Sequence, residues 1–61
     1  MLLMLSNESM SHVLRETRDE NHSLVYHVAR SKLPPLILKE FEVYDAAMYD
    51  RYGYHPIAFE D

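Results

Sequence analysis

Residues 10–33 read MSHVLRETRDENHSLVYHVARSKL, and the fold class turns on whether this stretch is helix or hairpin. Met10, Leu14, Thr17, Leu24 and Val28 fall on a heptad-like track, and Asn21 stands where an apolar residue is missing. Val13 and Val25 widen the stripe. The pattern predicts one long helix, or two helices broken near Asp19, Glu20, Asn21 and His22. The competing reading is a β-hairpin. Residues 12–18 and 24–30 have strand length, the second run is rich in β-branched and aromatic residues, and RDENHS supplies a polar turn. Two features weigh against it. The turn carries no glycine, and Leu24-Val25 and Val28-Ala29 come as adjacent pairs rather than in alternation. Helix is the preferred reading.

Downstream, residues 34–53 read PPLILKEFEVYDAAMYDRYG. Ile37, Phe41, Tyr44, Met48 and Tyr52 are spaced four, three, four and four, which sets all five on one helical face. Proline suits the first turn, where its missing N–H has no partner anyway, and Gly53 suits the position just past the end. The main amphipathic helix is therefore expected over 35–52. Pro34 and Pro35 push Leu33 and Pro34 out of helical conformation, so a bend separates this helix from whatever precedes it.

The flanks are short. Residues 1–5, MLLML, form an apolar clip expected to pack on a neighbour or partner. Ser6 is a helix cap with Glu8 near the positive end of the dipole, and Met10 is an alternative start. In the tail, residues 54–61, Pro56 holds His55 extended, and Ile57 and Phe59 alternate to share one side of an extended segment. The expected fold is all-α over a single domain, 1–61: helix or broken helix over 6–31, a Pro-Pro bend, and the 35–52 helix. These make a small helical hairpin or bundle completed by dimerisation. The alternative is α+β, an N-terminal β-hairpin packed on the C-terminal helix.

Composition narrows the function. A chain of 61 residues buries only about 60% of its unfolded surface, and chains this small usually need disulfides, a metal or oligomerisation. With no cysteine, disulfides and thiolate metal sites are excluded, which leaves association. The missing cysteines fit a reducing, cytoplasmic setting. No apolar run approaches the ~20 residues that span a bilayer. The net charge of −4 is uneven, with three basic and four acidic residues up to Ser31 and three basic and six acidic from Lys32 onward. That balance disfavours binding to a phosphate backbone.

Motifs of chemistry are missing. His12 and Glu16 share metal-ligand spacing on a helix, but a pair of ligands is not a site. Glu40, Glu42, Asp45 and Asp50 read as a solvated acidic face. One glycine in the chain excludes a phosphate-cradling loop. No catalytic, cofactor or metal residues are assigned, and the chain is expected not to be an enzyme. The stripe Ile37, Phe41, Tyr44, Met48 and Tyr52 serves as core, interface or both, since tyrosine tolerates one wet end. The leading expectation is a small regulatory or accessory protein acting through protein–protein contacts. It would be a homodimer with an unknown protein partner, comparable in size and composition to phage- or plasmid-type modulators of host machinery. The alternative is a nucleic-acid-binding transcriptional regulator in which Arg15, Arg18, Arg30 and Lys32 gather into a basic patch on the dimer.

Overall fold

In the computed structural model, which describes residues 4–61, the stretch 10–33 is a hairpin. A one-turn helix α1 (Asn7–Met10) leads into β1 (Arg15–Arg18) and β2 (Leu24–Ala29), and a 3-10 turn follows over Arg30–Lys32. Helix α2 (Pro35–Tyr52) and strand β3 (Ile57–Glu60) complete the described residues. The strands lie in the order β1-β2-β3, with β1 antiparallel and β3 parallel to the central β2. The expected all-α bundle is therefore corrected to a mixed α+β domain. The helical reading of 6–31 holds only for the single turn at Asn7–Met10.

Both arguments against the hairpin fail for physical reasons. The turn manages without glycine because Asp19 replaces it with hydrogen bonds. One of its carboxylate oxygens accepts the N–H groups of Asn21 at 2.8 Å and Ser23 at 2.9 Å. His22 donates its N–H to the Asp19 carbonyl at 2.9 Å and takes the left-handed conformation itself, φ 63°. The adjacent apolar pairs arise because β2 is the central strand, flanked by β1 and β3, so none of its six residues is fully exposed and strict alternation is lost. Asp19→Ala leaves two turn N–H groups without their acceptor. It should destabilise the chain by about 1–3 kcal/mol in urea titrations.

Helix α2 has the punctuation its sequence announces. Pro35 opens it, and Gly53 closes it at φ 77°, donating its N–H to the Tyr49 carbonyl at 2.8 Å. Parallel strands cannot be joined by a tight turn, so β2 and β3 need a crossover, and α2 supplies it. Eighteen residues of helix carry the chain about 27 Å back along the sheet. The tail then re-enters beside β2 and pairs Tyr26 with Ile57 and Val28 with Phe59. What reads as a draped extended segment is thus the third strand.

The core lies between α2 and one face of the sheet. Val28, Ile37, Phe41 and Ile57 are buried, and Leu5, Val13, Tyr26, Leu33, Tyr44 and Phe59 pack around them. On the helix this uses the upper part of the expected stripe: Ile37 and Phe41 are buried, Tyr44 and Met48 are half-buried, and Tyr52 is exposed. Of the N-terminal clip, residues 1–3 lie outside the described residues, Leu5 packs on the core and Met4 is exposed. Ser6 caps α1 by accepting the Ser9 N–H at 3.1 Å. It then ties α1 to α2, since its own N–H and hydroxyl both donate to Glu40, each at 3.0 Å. No helix of the described residues is long and apolar enough to cross a membrane.

Candidate functional site

The pleat sends alternate residues to opposite faces of the sheet. Val28 and Ile57 face α2, so Arg15, Thr17, His27 and Glu60 share the opposite, uncovered face. There they form one chain of contacts across all three strands. The Thr17 hydroxyl meets Nε2 of His27 at 2.7 Å, and Nδ1 of His27 lies 3.1 Å from Glu60 Oε2. Arg15 grips the same carboxylate with both guanidinium ends, at 3.0 Å and 2.7 Å. With Glu60 ionised, the geometry suits an imidazole that donates from Nδ1 and accepts the threonine hydroxyl at Nε2.

Hydrogen bonds from Arg15 and then from His27 hold the Glu60 carboxyl below its ordinary value of 4.5. Glu40 is held low as well, by hydrogen bonds from the Ser9 side chain and the Ser6 N–H. Each group is more acidic folded than unfolded, so each adds stability above pH 4.5 that is lost as pH falls through its folded-state value. Thermal melts from neutral pH to below 4.5 should show the midpoint dropping. Glu40→Gln and Glu60→Gln should each flatten that drop.

A hydroxyl, an imidazole and a carboxylate in line are parts of an acyl-transfer relay. That chemistry also needs donors for the developing oxyanion and a concave, water-poor seat. The network instead spans an open sheet face, with Arg15 and Glu60 more than a third exposed. What it does in the fold is join β1 to β3, which are not neighbours, across β2.

Two further features lie on α2, on the other side of the sheet. Just past the middle of α2, Asp45 accepts the Ile57 N–H at 3.2 Å and pairs with Nδ1 of His55 at 2.8 Å. The His55 ring stacks on Tyr49 with centroids 4.3 Å apart. At the near end, Met4, Leu36, Lys39, Glu40, Val43 and Tyr44 line a shallow apolar groove. Leu36, 84% exposed, and Val43, 50% exposed, are seven residues apart and so lie on one side of the helix.

The residues singled out from sequence divide accordingly. The stripe lies on one continuous helix but is unevenly buried: Ile37 and Phe41 are core, Tyr44 packs at its border, and Tyr52 is exposed. His12 and Glu16 do not share a helix face, since Glu16 is in β1. Among the described residues no cluster of three potential metal ligands occurs. The four basic residues do not gather either. Arg18 pairs with Leu24 at one end of β2 while Arg30 follows its other end, where it binds Glu42 at 3.6 Å and covers the Phe59 ring at 4.5 Å. The sheet-face network is not among the residues that the sequence pattern singles out. Its signal was the spacing Arg15-x-Thr17 opposite Val25-x-His27, which has meaning only once the hairpin register is granted. No family model, curated protein or solved structure matches this chain.

Proposed function

We propose that this chain is a small contact module, a regulatory or accessory protein that works by binding another protein rather than by chemistry of its own. The observation that carries this is the apolar shelf of Leu36 and Val43 on the longest element of the fold, bordered by Met4 of the N-terminal segment. Contiguous exposed apolar surface of this kind on a small domain marks interaction sites. The chain acts as a homodimer in this reading, because its buried apolar core of Val28, Ile37, Phe41 and Ile57 is small for an isolated domain. A cytoplasmic, phage- or plasmid-type setting belongs to the same proposal and rests on size and composition alone.

Paired capture experiments test it. Leu36→Asp with Val43→Asp alters only exposed side chains, so circular dichroism should be unchanged. A genuine partner is retained by the wild-type chain, lost by the double variant, and insensitive to moderate salt. The reading is overturned if the double variant retains every protein that the wild type does.

A nucleic-acid-binding regulator is the second reading. It is favoured by Arg18 and Lys32, which are exposed and have no carboxylate within ion-pair distance among the described residues. Its mark would be affinity for duplex or single-stranded nucleic acid that falls steeply with salt.

A further inference from the structure

The sheet has two edges, and they are treated differently. At β3, the outward N–H of Ile57 is taken by the Asp45 carboxylate, Arg30 lies over Phe59, and Ser31 donates its N–H to the Asp61 side chain at 3.0 Å. That edge is occupied by side chains of its own fold, one of the ways proteins keep a sheet edge from pairing. Among the described residues strand β1 has no such cover. All four of its residues are exposed, and among the described residues its only strand neighbour is β2.

The outward backbone groups of β1 follow from its register. Asp19 donates its N–H to the Ser23 carbonyl at 3.0 Å, which continues the pairing of Thr17 with Val25 and Arg15 with His27. Hydrogen-bonded and non-hydrogen-bonded pairs alternate along an antiparallel ladder. Asp19, Thr17 and Arg15 therefore turn their N–H and C=O groups toward β2. Leu14 turns its N–H inward too, to the His27 carbonyl at 2.7 Å. Glu16 and Arg18 are left to point theirs away from the sheet.

We propose that β1 is the dimer site, pairing antiparallel with β1 of a second copy about a two-fold axis through Thr17. This rests on the reading of the chain as a self-associating contact module and names the surface that does it. Only registers that bring outward residues opposite outward residues form hydrogen bonds, so the axis must pass through Glu16, Thr17 or Arg18. Through Glu16 it sets carboxylate against carboxylate; through Arg18 it sets guanidinium against guanidinium. Like charges directly opposite destabilise a sheet, and opposite charges stabilise it.

The axis through Thr17 places Glu16 opposite Arg18 of the second copy, twice. It also places Thr17 opposite Thr17 of the second copy and Arg15 opposite Asp19. The two Glu16–Arg18 pairs exchange four backbone hydrogen bonds, and a continuous six-stranded sheet results. The polar networks of the two copies then meet at the axis through their threonines. Two four-residue strands cover well under the ~1,600 Å² of a standard interface, so the dimer is weak and concentration-dependent.

Charge reversal tests the register. Glu16→Lys sets a cation against Arg18 of the second copy, and Arg18→Glu sets an anion against Glu16 of the second copy. Each variant alone should raise the dimer dissociation constant roughly tenfold or more in light scattering over a concentration series reaching millimolar. An equimolar mixture of the two should recover dimerisation, because every facing pair is again opposite in sign. Thr17→Cys, in a chain with no other cysteine, should form an intermolecular disulfide under mild oxidation, since facing residues of a non-hydrogen-bonded pair lie within bridging distance. A wild-type dimer indifferent to both reversals removes the β1 site and leaves self-association standing. A wild-type chain monomeric throughout the series overturns both.

Discussion

Phe41→Ala is expected to leave the isolated chain mostly unfolded at room temperature. Phe41 is fully buried, and with Ile37 it is the part of α2 that faces Val28 and Ile57 across the core. Truncating a buried phenylalanine to alanine costs about 3–5 kcal/mol, from lost transfer free energy and from the cavity left behind. A 61-residue domain has roughly 3–9 kcal/mol in total. So few residues share the core that the loss has nowhere to be absorbed. Far-UV circular dichroism and urea titration of the variant check this. A cooperative transition close to that of the wild type would mean that Phe41 is not at the centre of the core. Phe41→Leu, which keeps most of the volume, should be far milder and separates cavity formation from any special need for the ring.

Ile57→Ala carries the second largest effect, about 2–5 kcal/mol for a buried aliphatic side chain. Ile57 begins β3, is 5% exposed, and stands beside Tyr26 in the parallel register. Its loss should be felt beyond its own cavity, because the same stretch holds β2. The Tyr26 N–H donates to the Pro56 carbonyl at 2.7 Å and the Ile57 N–H is held by Asp45. Hydrogen exchange by NMR should show the Tyr26 amide losing protection in this variant. A tail merely lying over the domain would give a cost well under 1 kcal/mol and an unchanged Tyr26 amide. That result would remove β3 from the fold. Exposed positions on the same elements, such as Leu36 and Tyr52, should be nearly silent in stability.

Helix α2 was legible because its determinants are local. Pro35 and Gly53 act through their own backbone preferences, and the spacing of Ile37, Phe41 and Tyr44 shows the core-facing side without reference to anything else in the chain. Ser6 as the cap of α1 was readable for the same reason. Residues 10–33 carried two periods at once, and the local cues favoured the wrong one. Glycine is the usual sign of a tight hairpin, but Asp19 and His22 build this turn from a carboxylate and a strained φ. The adjacent apolar pairs of β2 looked helical because the strand is central, and being central is a property of the assembled sheet.

The candidate site was less visible still. Arg15, Thr17, His27 and Glu60 span 45 positions of sequence, and no spacing rule joins them until register and strand order are known. By itself, then, the sequence determined the helix over 35–52 and the Pro-Pro break before it. Both follow from short-range sterics, capping and local apolar spacing. Tertiary structure alone decided that the middle of the chain is a hairpin, that the tail is a parallel third strand and that, among the described residues, one sheet edge is blocked while the other is bare. Each of those depends on which distant segment a backbone N–H finds as its acceptor. Hydrophobic burial against α2 settles that choice, and no window of neighbouring residues contains it.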